Sequence, residues 1–384
     1  MKQPILIIGG GASALMLASL LPKCSAIVVD ANPNLGAKID ISGGGKCNIT
    51  NEKMDASFFL GDWNFITSVL ECFDQKRLLQ WLQQRGLEPV LRKKGQYFCP
   101  HTSKELLGIL LKESQKQKFF ANEQVIEVCK KGEMFDVKTN RRSIKVAYVI
   151  VASGGLSFPR LGASGIGYEI AEYFGHTIQK TAPALVGFTV QKEQFFFKEL
   201  SGVSMEVVID VNGNSCQGSL LFTHKGISGP AVLDASLYWE KGKISIDFLP
   251  KFDWGKLKQS KKQLTSLLPL PKRVTKAFLS QWGLQDIAGS AISLEMLQQL
   301  QTLHRYTFAP AGSFGYSKAE VTKGGVLTSE IDAKTMQSQK QQGLFFIGEV
   351  LDVTGRLGGY NFQWAFSSAY VCAKALMFQN TLIK

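Results

Sequence analysis

Histidines and closely spaced cysteines are what this 384-residue chain has least of. Only His101, His176, His224 and His304 are present. The seven cysteines (Cys24, Cys47, Cys72, Cys99, Cys129, Cys216 and Cys372) include no C-x-x-C pair. That spacing excludes a zinc ribbon and a local dithiol redox centre, and no metal site is expected. An odd number of scattered thiols reads as reduced cysteine in a cytoplasmic protein. Long apolar runs are missing too. The one candidate, Ile5 to Leu21, superficially resembles a signal peptide, but Gly9, Gly10 and Gly11 interrupt it and suit a turn. A soluble cytoplasmic protein without membrane insertion is the expectation. Acidic residues are also under-represented: 31 Asp and Glu stand against 44 Lys and Arg, a formal charge of +13. Such a balance welcomes anionic partners and says nothing about fold.

What is present is ordinary globular material. Hydrophobic residues make up 45% and charged residues 20%, which excludes disorder, collagen and coiled coil. At roughly 100–200 residues per domain, the length implies two or three domains. Ile5–Ile8 reads as a buried strand, Ala12–Leu21 as a helix, and Ala26–Val29 as a second strand ending in Asp30. That order is a βαβ unit with a parallel sheet. Helices are expected near 63–85, stopped by Gly86, and over about 103–117. Strand patterning follows at 125–128, 134–137 and 144–151, and again through 185–248. Residues 251–310 turn helical and hold nine Lys or Arg against three Asp or Glu. Gly343–Ile347 reads as a buried strand, followed by a Gly-rich loop and a terminal helix over about 362–378.

The densest chemical signal is Gly9-x-Gly11-x-x-Ala14 between the first strand and helix, with Asp30 closing the second strand. Gly9 permits the tight turn, Gly11 leaves room for a pyrophosphate, and Ala14 allows close helix–strand packing. The helix start offers free N–H groups and partial positive charge to the phosphates. Asp30 suits the hydroxyls of an adenosine ribose and argues against a 2′-phosphate there. The fingerprint alone does not separate FAD from NAD. Three further strand–Gly junctions do: Ser42–Asn48, Ala152–Gly155 and Gly348–Asp352, the last running into Thr354–Gln363. An extended FAD needs such contacts along its whole length.

The segments GGGASALMLA, ISGGGKCNITN, KKGQYFCP, ASGG, GYEIAEYFGHTI, FTHKGISGPA, AEVTKGGV and GEVLDVTGRLGGYNFQWAFSSA, in this order, resemble the bacterial BaiN/YhiN-type flavoproteins. These are also called NAD(P)/FAD-dependent oxidoreductases or the aminoacetone oxidase family. The likeness runs from residue 5 to about 377. It implies an α/β fold in which a Rossmann-like FAD-binding domain (1–185 and 326–384) is interrupted. The interruptions are a β-barrel-like domain (186–250 and 309–325) and a small helical domain (251–308). It implies non-covalent FAD held by Gly9, Gly11, Ala14, Asp30, Lys38, Ser42, Gly43, Lys46, Cys47 and Asn48. Val125 and Gly154 follow, then Gly348, Glu349, Asp352, Gly359, Tyr360 and Asn361. This chain departs from the pattern at Ala37 and Lys46, where arginines are usual, and at Ile166, where an acid is usual.

Because a flavin carries the hydride itself, side-chain catalysis is optional. His224 and Lys225, in Phe222–Ser228, are the candidates for proton handling and anion holding. Cys47 reads as a small hydrophobe against the cofactor. The leading expectation is an FAD-dependent oxidoreductase acting on a small organic substrate, its flavin reduced by NAD(P)H. No second G-x-G-x-x-G is present for the nicotinamide. An FAD-dependent amine oxidase using O2 is the alternative, and an RNA-associated flavoprotein, motivated by the basic 251–310 segment, is the third reading.

Overall fold

A computed structural model describes residues 5–381. The outermost residues of the two expected FAD-domain segments, 1–4 and 382–384, lie outside the described residues. The chain divides into two compact units: residues up to Pro183 with those from Val321 onward, and Ala184–Glu320.

The first unit is organised by a five-stranded parallel sheet. Its strands are β1 (Ile5–Ile8) and β2 (Ala26–Val29), with Lys118–Phe120 beyond β2 and Tyr148–Val151 then Leu344–Phe346 on the other side of β1. β1 is buried at every position, as a strand covered on both faces must be. Helix α1 (Ala12–Leu20) follows β1 directly and buries seven of its nine residues. The α/β class with a parallel Rossmann-type sheet expected from the βαβ pattern is present.

Two elements differ from their sequence reading. The helix expected over 63–85 is two helices, Trp63–Cys72 and Gln75–Gln83. Asp62 caps the first, accepting from the Phe65 N–H at 2.7 Å; Asp74 caps the second, accepting from Arg77 at 2.8 Å. A polar N-cap in mid-pattern ends one helix and starts another without disturbing the apolar period. The apolar run 144–151 is likewise two strands. Ser143–Val146 belongs to a three-stranded antiparallel sheet, and Tyr148–Val151 to the parallel one. Continuous hydrophobicity hides a change of sheet.

In the second unit, seven antiparallel strands include Ser204–Val211, Asn214–Thr223 and Ile244–Asp247. The helix Lys272–Gln281 shares their core. Phe278 lies 5.3 Å from Phe248 and 6.1 Å from Phe197, which in turn meets Phe222 at 5.1 Å. Among the described residues, no helix is long and apolar enough to cross a membrane.

The first unit also buries a polar clamp. His176 Nε2 meets Ser338 Oγ at 2.7 Å, and Nδ1 meets Glu330 at 3.2 Å. Glu330 accepts from the Thr177 N–H (2.8 Å) and hydroxyl (2.9 Å), and pairs with Lys340 at 2.6 Å. Burial pushes its carboxyl up, but Lys340 and Thr177 outweigh that and hold it at about 2. A carboxylate held below its ordinary value adds stability above that value, which is lost as the pH falls toward the folded one. Glu330→Gln is therefore expected to lower the melting temperature at pH 7. Its deficit should shrink between about pH 4.5 and 2; coincident Tm-versus-pH curves for the two proteins would contradict the clamp.

Candidate functional site

The carboxyl ends of the parallel strands carry the glycine loops, and the loops meet where side chains are missing. Gly9, at φ +104°, is the sharpest case. A Cβ there would stand 2.4 Å from the carbonyl oxygen of Ala152, so the turn after β1 touches the turn after Tyr148–Val151. Gly348, after Leu344–Phe346, approaches α1 so closely that a Cβ would meet Ser13 Oγ at 2.6 Å. Its N–H donates to Ser368 at 3.0 Å and its carbonyl accepts from the Trp364 indole at 3.1 Å. Gly359 lies against strand β3 (Asn48–Asn51), where a Cβ would sit 2.7 Å from Thr50 backbone atoms.

Other positions open outward. A Cβ on Gly11 or on Gly154 would meet nothing within 4 Å. Gly11 is the N-cap of α1, makes no side-chain cap bond, and has no acid in the turn that follows. The first N–H groups of α1 thus keep their capacity for an anion. Ala14, fully buried on α1, serves the packing of helix on sheet.

Asp30 follows β2 and is tied to the same turn. One carboxylate oxygen accepts from the Gly10 N–H, the other from Asn32 at 2.6 Å. Burial raises its carboxyl above the usual range, only partly offset by these bonds. Lys38, on helix α2 (Ala37–Ile41), pairs with Glu349 at 2.8 Å, and the second Glu349 oxygen accepts from the Thr322 N–H at 2.9 Å. Both charges called from sequence are thus partners of one another.

Ser42–Gly45 form a tight turn in which Ser42 Oγ donates to the Ile39 carbonyl at 2.7 Å. Lys46 is exposed. Asn48 Oδ1 is buried without a hydrogen-bond partner among the described residues. Among the described residues the Asp352 carboxyl has no hydrogen-bond partner, and burial raises it. Val125, buried at the start of Val125–Lys131, pairs with Thr139.

Two of the residues expected to hold FAD are engaged within the protein. Asn361 clasps Gly355 through both amide atoms, at 2.9 and 2.8 Å. The Tyr360 ring is buried and stacks on Phe58 at 4.8 Å. His224 and Lys225 lie in the other compact unit, exposed at the hairpin between Asn214–Thr223 and Gly226–Ser228. The hydroxyl of Thr223 staples that turn, accepting from Lys225 and Gly226 at 3.3 and 3.2 Å.

Sequence reasoning missed a partner for Cys47. Cys99 is its cross-strand neighbour, donating its N–H to the Cys47 carbonyl at 3.2 Å, and both side chains are fully buried. Contact with the Cys99 thiol, and then burial, push Cys47 up. The residues fit an elongated dinucleotide: an uncapped helix start, open faces at Gly11 and Gly154, and an orphaned acceptor at Asn48.

Residues 3–375 match the family described as HI0933-like protein Rossmann domain. The chain is 38% identical to the ribosomal RNA dihydrouridine synthase of Haemophilus influenzae, over 97% of this chain and 98% of that protein. It is 36% identical to the protein of the same name from Escherichia coli, over 97% of each. It is 29% identical to the 3-dehydro-bile acid delta(4,6)-reductase of Clostridium scindens, over 96% of this chain and 98% of that one. Among solved structures, the E. coli quinol fumarate reductase subunit FrdA aligns with a TM-score of 0.53 at 12% identity, covering 100% of this chain and 71% of that one. At that identity the likeness is one of fold.

The glycines separate packing from binding. Gly9→Ala is expected to unfold or aggregate the protein, since backbone blocks its Cβ. Gly11→Val is expected to keep a wild-type melting temperature in the absence of ligand and to lose FAD, measured as flavin absorbance per chain after purification. A full flavin load in Gly11→Val would contradict the placement. Asn48→Ala removes a buried unpaired acceptor, so it should weaken FAD retention without lowering the stability of the flavin-free protein.

Proposed function

The chain belongs to the HI0933-like Rossmann-domain family of FAD-dependent oxidoreductases, and on that premise we propose that it reduces uridine in ribosomal RNA to dihydrouridine. What carries this reading is the near-full-length similarity to two proteins of that name. Uridine and dihydrouridine differ by two hydrogens across the C5–C6 bond, a double bond conjugated to a carbonyl. The bile-acid relative is also named for a reductase, so reductive saturation is the chemistry common to the three names. The net charge of +13 suits a polyanionic substrate.

FAD, held by these residues, would supply the hydride for such a reduction, with NAD(P)H as the proposed electron donor. The protein's part is to hold and orient. Gly9, Gly11 and the start of α1 would receive the pyrophosphate, and Asp30, fixed by Gly10 and Asn32, would hold the adenosine ribose. Val125 would contribute at the adenosine end. Ser42, Gly43, Lys46, Cys47 and Asn48, together with Gly154 and Gly348, would hold the middle of the cofactor. The Lys38–Glu349 pair fixes α2 to the Gly348 loop, so neither charge faces the flavin alone. Gly359, Tyr360 and Asn361 shape the loop that would hold the isoalloxazine end. Asp352, a half-buried carboxyl with a raised pKa, keeps a proton to higher pH than an ordinary aspartate does. His224 and Lys225 remain candidates for contacting substrate.

The test has two stages. Anaerobic mixing with NADH or NADPH should bleach the flavin absorbance, and the reduced enzyme should then convert uridine to dihydrouridine in ribosomal RNA lacking it, read by nucleoside mass spectrometry. Bleaching by an amine, with peroxide formed on admitting air, would favour an oxidase. Turnover of a 3-oxo steroid with untouched RNA would replace the substrate. Reduced enzyme that leaves RNA unchanged contradicts the proposal.

A further inference from the structure

The same unit presents an outward feature that flavin binding leaves unused. Strands Val90–Leu91 and Gln96–Phe98 form a short hairpin at the edge of the sheet that contains β3. Between Val90 and Phe98 stand three cations, Arg92, Lys93 and Lys94, and no acid. Val90 to Lys94 are all exposed, the two apolar side chains by 43% and 49%. Five consecutive exposed residues, apolar then cationic, are unusual for an edge whose only task is to close a sheet.

This tip is fixed in place. The Arg92 N–H donates to the Gln96 carbonyl at 2.8 Å, and the guanidinium lies 4.9 Å over the Phe98 ring. Asn51, itself buried, donates through Nδ2 to the Lys94 carbonyl at 3.3 Å and to the Gly358 carbonyl at 3.1 Å. The Glu52 N–H donates to the Gly95 carbonyl at 2.7 Å. One amide therefore clamps the basic tip to the Gly355–Gly359 loop of the candidate site. The acid beside this clamp, Glu52, is exposed and followed by Lys53.

We infer that the 90–95 tip is the surface that grips the phosphodiester backbone of the RNA substrate next to the flavin site. The inference rests on the proposed reduction of ribosomal RNA uridine and adds the place where that RNA is held. Lysine point charges suit sequence-independent phosphate contact, Arg92 adds a planar fork, and Val90 with Leu91 offer an apolar shelf to a ribose or an unstacked base. The helical stretch 251–308 carries more cations, but they belong to the other compact unit. A rigid link matters because a base must be presented reproducibly to a buried cofactor.

The test uses holoenzyme and a fluorescently labelled ribosomal RNA stem–loop with unpaired uridines. The triple variant Arg92→Ala/Lys93→Ala/Lys94→Ala should keep its FAD and its bleaching by NAD(P)H. Its RNA affinity should fall about tenfold or more at ~0.1 M salt, and the salt dependence of log K should lose about 2 from its slope. A charge-matched control, Lys261→Ala/Lys262→Ala/Lys272→Ala, should lose less than about threefold. Wild-type affinity and slope in the hairpin variant would overturn the inference. So would equal losses in both variants, or a loss confined to the KM for NADPH. RNA binding that depends on the tip without any dihydrouridine formed would leave the surface standing and sink the reaction. Dihydrouridine formed at the wild-type rate by the hairpin variant would do the reverse.

Discussion

Everything in the candidate site depends on backbones coming closer than side chains allow. The turn after β1 rests on the Ala152 carbonyl because Gly9 has no Cβ, and the Gly348 loop rests on α1 for the same reason. Gly155 sits where a Cβ would strike Thr322 and Glu349, the residues that tie the last parallel strand to the Lys38 helix. A parallel sheet delivers its strand ends to one edge; glycine lets the loops leaving that edge touch. Without those contacts the open faces at Gly11 and Gly154 would not belong to one cradle.

Polar groups tell a matching story. The protein satisfies most of its buried polar atoms internally, down to the Asn361 clasp on Gly355 and the Gln363 bonds to Phe73 and Ser367. The exceptions in the first unit include Asn48 Oδ1, on the strand that follows the Ser42–Gly45 turn. An unpaired acceptor costs free energy in the folded protein unless a ligand completes it, and such costs gather where a chain binds something. The uncapped start of α1 and the unpartnered carboxyl of Asp352 belong to the same class.

Local chemistry was legible in the sequence. β1, the glycine turn, α1, β2 and Asp30 form one short run whose periodicity and turn residues speak for themselves, and the later strand–glycine junctions repeat the theme. Long-range pairing was not. The Lys38–Glu349 ion pair spans 311 residues, and nothing in either neighbourhood announces the other. The Cys47–Cys99 contact arises from the register of β3 against Gln96–Phe98, which apolar patterning does not encode. The break at Asp74 was hidden because a capping aspartate fits the polar face of a continuing helix. Tyr360 looked available for a cofactor because an aromatic at a loop end does not reveal that Phe58 will cover it.

The most direct measurement of the account is the flavin content of the purified wild-type protein. Heat-released cofactor should be FAD, close to one per chain, with a visible spectrum that NAD(P)H bleaches under nitrogen. A colourless protein that takes up no FAD when offered an excess would contradict the reading of the glycine loops and everything built on them.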